Sequence, residues 1–107
     1  MKYAIPIESQ DIKDEISEVF GRSKFFAVYD SETKSIDFLE NPGSKESRGA
    51  GISAVQFLIE KKINKVLTTN IGPNAENTLK SSGINLEIIE RNTLENIKNE
   101  YFEKNEK

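Results

Sequence analysis

The stretch KVLTTNIGPNAENTLKSSGINLEI, residues 65–88, decides the fold because a strand, a helix and a second strand follow one another within it. Its first residues are apolar and β-branched, which predicts a strand at 65–70. Pro73 predicts a helix start, because the N–H that proline lacks would make no hydrogen bond within the first helical turn. Gly83 ends that helix, and a last strand is expected at 84–90. Two strands joined by a helix in this way favour parallel pairing with a right-handed crossover.

A β-hairpin and a helix are predicted before this unit. Strands at 24–30 and 35–40 carry aromatic and β-branched residues and are joined by a polar turn. A helix of about a dozen residues is expected to follow Gly51. Its apolar stripe consists of Ile52, Val55 and Ile59, supported by Ala54 and Leu58.

The two ends of the chain complete the pattern. A first strand is predicted at 2–7, followed at 8–19 by a polar loop that holds one or two helical turns. Near the C-terminus Thr93 can cap a final helix, and residues 103–107 are expected to fray. The buried stripe of that helix consists of Leu94, Ile97 and Tyr101.

This order of elements predicts an α/β domain with a mixed five-stranded sheet, strand order 3-2-1-4-5 and helices on both faces. Strand two alone runs antiparallel, as its place in a hairpin requires. The predicted arrangement is a ribonuclease H-like architecture. The whole chain, residues 1–107, is expected to form a single domain, since its length suits one modest core.

The composition excludes several classes of chemistry. The chain has no cysteine and no histidine, which removes disulfides, thiolate nucleophiles, the usual general base and the commonest metal ligands. Triad hydrolysis and tetrahedral structural zinc are therefore excluded. The 15 basic and 18 acidic residues give a formal net charge of −3, which argues against nucleic acid as a partner. Neither a signal peptide nor a membrane-spanning run is visible, so a cytoplasmic location without a membrane partner is expected.

Several glycine-rich turns are predicted to meet at one edge of the sheet. The strand order reverses there between strands one and four, which is the usual place for ligands in open α/β sheets. Two helix starts, near Gly51 and Pro73, would point unpaired N–H groups into this crevice, and two arginines would add donors for an anion. The predicted binding residues are Phe20, Gly21, Arg22, Arg48, Gly49, Ala50, Gly51, Gly72, Pro73 and Asn74.

Each of these residues also has an ordinary interpretation. The glycines suit common turns, and arginines on loops are usually solvated. Phe20 suits the core better than a ligand contact. Their expected convergence is what favours a binding site over a set of unrelated turns.

Four short motifs in order carry a resemblance to a known family. They are Ala4-Ile5-Pro6, Ile16-Ser17-Glu18-Val19-Phe20-Gly21-Arg22, Gly49-Ala50-Gly51 and Ile71-Gly72-Pro73-Asn74-Ala75. With them the chain resembles the dinitrogenase iron–molybdenum cofactor biosynthesis family over nearly its whole length, up to about residue 90. The resemblance implies a ribonuclease H-like fold and the binding of an iron–sulfur-type metallocluster or its precursor. It also implies a carrier or scaffold rather than an enzyme.

The chain departs from that family at two positions where histidine is common. Val19 stands before the Phe-Gly motif, and Arg48 stands before Gly-Ala-Gly. An iron–sulfur or iron–molybdenum cluster would therefore be held without His or Cys ligands, by N–H groups and arginines. No metal ligand is assigned, although Glu8 or Glu18 could bind a hard cation.

Three functions remain open. The leading hypothesis is a non-catalytic carrier or binding module for an anionic metallocluster or related small anion, with a protein of cluster assembly as a further partner. The second is a protein-interaction or regulatory domain that has lost cofactor binding. The third, a metal-dependent phosphoryl-transfer enzyme, is disfavoured because strand one offers no inward carboxylate.

Overall fold

A computed structural model describes residues 1–103 of the chain and shows an α/β fold built on one sheet. Within those residues the sheet has five strands in the order β3-β2-β1-β4-β5. The strands are β1 (Lys2–Ile7), β2 (Phe25–Asp30), β3 (Ser35–Glu40), β4 (Lys65–Thr68) and β5 (Asn85–Ile88). β1, β4 and β5 pair in parallel, whereas β2 is antiparallel to both β1 and β3. The predicted strand order and the single antiparallel strand are confirmed.

Helices cover both faces of this sheet. They are α1 (Ala50–Glu60), α2 (Pro73–Ser82) and α3 (Leu94–Ile97), which continues into a π-helical segment at Lys98–Glu103; a short 3₁₀ helix, Pro42–Lys45, follows β3. None of the helices in the described residues is long and apolar enough to cross a membrane. Of the residues 103–107 that are expected to fray, 104–107 lie outside the described part of the chain.

The strand alternation produces two separate hydrophobic clusters. Ala4, Phe26 and Val28 point to one face, where α1 and α2 pack on them. Ile5 and Tyr29 point to the other face, toward α3 and the loop after β1. The sheet is therefore buried on both sides, as the predicted helix placement requires.

The two short parallel strands end earlier than expected. β4 stops at Thr68, whose hydroxyl donates to the carbonyl of Asn70 at 3.0 Å and so favours a turn over a longer strand. β5 ends at Ile88, which is 57% exposed, while Ile89 is buried. This edge strand is therefore shorter than the predicted range 84–90, and its last side chain faces solvent.

Helix α1 buries a different row of side chains from the predicted stripe. Its buried residues are Ala50, Ala54, Val55 and Leu58, whereas Ile59 is 45% exposed. Ala54, Val55 and Leu58 belong to the hydrophobic cluster on one face of the sheet, whereas Ala50 is buried outside that cluster, at the start of the helix. The large apolar side chain of Ile59 therefore suggested a buried position that it does not have.

The segment 8–19 contains no helix; one hydrogen-bonded turn, from Asp14 N to Asp11 O at 3.1 Å, is found where one or two helical turns were expected. Its side chains bond to nearby backbone: the Ser9 hydroxyl accepts from Asp11 N at 3.3 Å, and the Asp11 carboxylate accepts from Lys13 N at 2.9 Å. Such local bonds compete with a helix. Ile16 instead makes an isolated bridge to Ile7 and is fully buried.

The last helical segment is capped as predicted but buries an additional aromatic ring. Thr93 Oγ1 accepts from Asn96 N at 3.1 Å, which is a regular N-cap. The winding then becomes π-helical, and residues five apart stack along one face. Phe102, five residues after Ile97, is therefore buried, with its ring 4.1 Å from that of Tyr29, while Tyr101 is only partly buried.

Candidate functional site

Three backbone segments meet at the edge of the sheet and enclose a cleft of about 410 Å³. They are the turn 19–22 before β2, the start of α1 and the segment from the end of β4 to the start of α2. The residues that line the cleft are Val19, Phe20, Gly21, Arg22, Gly49, Ala50, Gly51, Ile52, Asn70, Ile71, Gly72, Pro73, Asn74 and Ala75. Nine of the ten residues singled out from the sequence are in this set, and Arg48 is not.

Two close backbone contacts bring the three segments together. A Cβ on Gly21 would lie 2.8 Å from the nitrogen of Gly51, so the turn rests directly on the first turn of α1. A Cβ on Gly51 would lie 2.9 Å from the Cβ of Ala75, so α1 in turn rests on α2. Larger side chains at these glycines would separate the walls of the cleft.

The start of α1 presents its N–H groups without a side-chain cap. Gly49 has φ +67° and ψ 25°, a left-handed conformation, and the helical Ala50 follows it. A left-handed residue next to a right-handed one turns successive N–H groups toward a single point, which forms a concave nest for anions. The first helical bond, Ser53 N to Gly49 O at 2.9 Å, leaves the N–H groups before Ser53 outside the helix ladder.

The start of α2 is also uncapped. Gly72 is its N-cap, makes no side-chain cap bond, and is followed by Pro73, which has no N–H. The first helical bond runs from Glu76 N to Gly72 O at 3.0 Å, so the N–H groups of Asn74 and Ala75 remain outside the ladder. Two helix N-termini, each with a partial positive charge, therefore face one cleft.

The two predicted arginines have different surroundings. Arg22 lines the cleft, but its guanidinium also donates to the backbone carbonyls of Glu46 and Ser47, at 3.1 Å for Ser47. Arg48 is exposed, lies outside the cleft lining, and has no hydrogen bond or ion pair to the described residues. Arg22 thus keeps part of its five N–H donors for a ligand, whereas Arg48 would have to reorient.

The lining of the cleft offers no ordinary metal ligand. It contains no carboxylate, imidazole or thiolate, and no group of three or more such side chains could hold a metal ion among the described residues. Its donors are backbone N–H groups, the Arg22 guanidinium and the side-chain amides of Asn70 and Asn74. This set fits an anion whose own inner coordination is complete, and it does not fit a bare metal ion.

A second, acidic cleft of about 450 Å³ lies beside the first and shares Val19 with it. The two carboxylates considered as cation ligands line it, but both have protein partners. Glu8 accepts from the Ser17 hydroxyl at 2.6 Å, and Glu18 pairs with Arg91 at 3.2 Å. Both carboxylates are thus already bonded to protein groups, which argues against a role as cation ligands.

One important residue for the geometry was missed from the sequence. Asn41 is 1% exposed and its side chain bonds to the turn that forms one wall of the cleft. Its neighbour Gly43 packs against the carbonyls of Gly21 and Ala50. In the sequence Asn41-Pro42-Gly43 is typical of an ordinary turn after a strand, and only the tertiary contacts distinguish it.

The solved structures confirm the fold in related proteins. The apo form of the orange protein from Desulfovibrio gigas superimposes with a TM-score of 0.87 at 27% identity, over 96% of this chain and 88% of that one. A protein of Thermotoga, TM1290, described as NifB-like and as belonging to the DUF35 family, superimposes with a TM-score of 0.81 at 29% identity. That match covers 95% of this chain and 87% of the other. The protein PH0822 gives a TM-score of 0.81 at 27% identity, over 97% and 92% of the two chains.

Sequence comparison leads to the same group of proteins. The uncharacterized protein MJ0580 of Methanocaldococcus jannaschii is 28% identical over 89 residues, which cover 80% of this chain and 72% of that protein. The sequence model of the dinitrogenase iron–molybdenum cofactor family matches residues 1–104. Since that match covers nearly the entire chain, the protein belongs to the dinitrogenase iron–molybdenum cofactor family.

Proposed function

We propose that this protein is a non-catalytic carrier that binds an anionic metallocluster of the iron–sulfur or iron–molybdenum type, or a related small anion, in the glycine-lined cleft. The observation that carries the proposal is the convergence of two uncapped helix N-termini on one cleft that contains no carboxylate. Membership of a family named for the dinitrogenase cofactor supports the choice of cargo.

The donors of the cleft determine how the cargo would be held. Sulfide and oxygen atoms on the surface of an anionic cluster can accept hydrogen bonds from the N–H groups of Gly51 and Ala75 and from Arg22. The cleft supplies no side chain that could replace a metal's own ligand. The cargo would therefore enter and leave intact, which suits a carrier.

The same lining argues against a catalytic role. General acid–base or nucleophilic catalysis needs a titratable or nucleophilic side chain at the reacting atoms. The arginine and the two asparagines of the cleft supply neither at neutral pH. We therefore assign the cleft to binding and release.

Anaerobic titration of the purified protein with a preformed iron–sulfur or iron–molybdenum cluster, followed by absorbance, tests the proposal. We expect saturable uptake by the wild type and weakened uptake by Arg22→Ala with Arg48→Ala. Lys13→Ala with Lys80→Ala removes the same positive charge at exposed positions outside the cleft and should bind normally. Absence of uptake by the wild type, or equal uptake by both double variants, would contradict binding in this cleft.

A protein-interaction or regulatory domain is the second candidate, because the cleft has no inner-sphere ligand and because Val19, at its mouth, is 47% exposed. A domain that has lost cofactor binding would show a melting temperature that the cluster does not change, since a bound ligand stabilises the folded state. Measuring that melting temperature with and without cluster separates the two functions.

A further inference from the structure

We infer that Asn41 is a positioning residue that clamps the turn 20–23 against the start of α1 and thereby sets the width of the cleft. The inference rests on the proposed function for its consequence on binding, while the clamp itself is a property of the ligand-free protein. Asn41 does not line the cleft, so it would act only through the residues it holds.

The side chain of Asn41 ties the turn 20–23 to the segment after β3, just beyond the last pair of the β2–β3 ladder, Phe25 and Glu40. Its Nδ2 donates to the carbonyls of Ser23 at 2.9 Å and Gly21 at 3.1 Å, with a longer contact of 3.4 Å to that of Phe20. Its Oδ1 accepts from Gly43 N at 2.9 Å. The amide of Asn41 is thus completely used, and its burial excludes water as a substitute partner.

Gly43 connects the residues bonded to Asn41 with α1 through close packing. A Cβ on Gly43 would collide with the carbonyl oxygen of Gly21 and would lie 2.5 Å from that of Ala50. The backbone at Gly43 is therefore inserted between the turn and the first residue of α1 without free space. With the Gly21–Gly51 contact, this arrangement fixes two of the three segments around the cleft, the turn and the start of α1, to one buried amide.

A second tie extends the clamp along the loop that leads into α1. Arg22 donates to the carbonyls of Glu46 and Ser47, three to four residues before that helix begins. The 46–49 backbone is exposed and otherwise belongs to no strand or helix. The turn and the start of α1 are consequently held together from inside by Asn41 and from outside by Arg22.

A clamp of this kind acts through the fraction of molecules whose cleft already has the binding geometry. If that fraction falls, the apparent affinity falls by the same factor. The loss appears in the association rate, because the complex, once formed, keeps the same contacts. Removal of a direct contact would instead increase the dissociation rate.

Asn41→Asp provides the sharpest variant because it keeps the shape and replaces the donor with an acceptor facing the carbonyls of Gly21 and Ser23. Asn64→Asp is the control for the same chemical change at an exposed position: Asn64 uses its oxygen to accept from Lys2 N at 2.7 Å, so the substitution removes no donor bond there. Ile97→Val removes a buried methylene from the opposite face of the sheet and controls for a general loss of stability.

Stopped-flow binding of an iron–sulfur cluster is the first measurement. We expect Asn41→Asp to slow association roughly tenfold, which corresponds to about one molecule in ten with the binding geometry of the cleft. The dissociation rate should stay nearly unchanged. Both controls should keep wild-type rates. Faster dissociation with unchanged association would overturn the inference, since it would make Asn41 a ligand contact or a general stabiliser.

Relaxation dispersion on the amides of Gly21 and Gly51 in ligand-free protein is the second measurement. Asn41→Asp should introduce microsecond-to-millisecond exchange at both amides, whereas Asn64→Asp should not. Asn41→Ser, which keeps one donor, should show the same pattern more weakly and serves if the aspartate does not fold. Unchanged Gly21 and Gly51 signals in a folded Asn41 variant would overturn the clamp. If the wild type takes up no cluster, the proposed function fails, and this measurement still decides whether the clamp exists.

Discussion

Glycine residues at the cleft look alike in the sequence, but the structure gives each a separate physical role. Gly49 is required for a positive φ, and a Cβ there would meet no other atom. Gly21 and Gly51 have ordinary backbone angles and are required because other backbone or side-chain atoms lie against them. Gly72 has neither constraint. The sequence could predict that these turns meet, because topology follows from element order. It could not predict which glycine makes contact, or that Asn41 holds the turn, because both depend on packing between distant segments.

Gly51→Ala should destabilise the protein by about 1–3 kcal/mol, the usual range for overpacking, because its new Cβ would lie 2.9 Å from that of Ala75. Gly72→Ala should cost no more than about 1 kcal/mol, the typical cost of alanine at an N-cap, since a Cβ there meets nothing within 4 Å. Gly51 lies inside α1 and Gly72 is the N-cap of α2, so urea unfolding of the pair compares a crowded glycine with an uncrowded one.

The double variant Gly51→Ala with Ala75→Gly moves the methyl group from one side of the contact to the other. It should unfold at a higher urea concentration than additivity of the two single changes allows, because the crowded pair is relieved. Strict additivity would show that the close approach of α1 and α2 does not restrict the size of the side chain at position 51.

Element identity follows from periodicity far better than the buried face does. The five strands lie within the predicted segments, α2 begins at Pro73 as predicted, and α1 begins at Ala50, two residues before the predicted start after Gly51. The errors concern which side chain is buried, at Ile59 in α1 and at Phe102 after α3. Ile59 was misassigned because large apolar residues dominate a helical pattern although small ones can face the sheet. Phe102 was missed because a 3.6-residue period cannot represent a π-helical segment.

Phe102→Ala should cost about 3–5 kcal/mol, since Phe102 is 3% exposed and stacks on Tyr29 with ring centroids 4.1 Å apart. Ile59→Ala should change stability by no more than about 0.5 kcal/mol, because that side chain is 45% exposed. Chemical denaturation of the two variants measures both values. A larger loss for Ile59→Ala than for Phe102→Ala would show that the buried face of α1 or of the last helical segment is assigned wrongly.

At the scale of the whole molecule, the cleft lies where the sheet reverses its strand order between β1 and β4. The crossover elements diverge at this point, which leaves room for a ligand between two helix N-termini. The chain as a whole carries a net charge of −3, and the neighbouring acidic cleft is lined by Glu8, Asp14, Glu15 and Glu18. The proposed anionic cargo would therefore be repelled at long range and attracted only close to the N–H groups.

This arrangement predicts an unusual sign for the salt dependence of uptake. Raising the ionic strength from about 0.01 M to about 0.15 M shortens the screening length from roughly 30 Å to roughly 8 Å, which weakens the long-range repulsion. Association of an anionic cluster should therefore become faster with salt, whereas a cationic site would show the opposite. Short-range hydrogen bonds from the cleft are screened much less, so dissociation should change little. Stopped-flow mixing at several salt concentrations measures both rates.

Charge variants locate the source of that repulsion. Glu15→Gln with Glu18→Gln removes two carboxylates of the acidic cleft and should speed association at low salt while flattening the salt dependence. Glu32→Gln with Glu60→Gln removes the same charge from the β2–β3 turn and from the C-terminal end of α1, both remote from the cleft, and should have a smaller effect. Association that slows with salt in the wild type would mean that Arg22 and the helix N-termini dominate the approach of the cargo. Equal acceleration by the two double variants would mean that net charge acts without regard to position, and that the acidic cleft has no particular influence on loading.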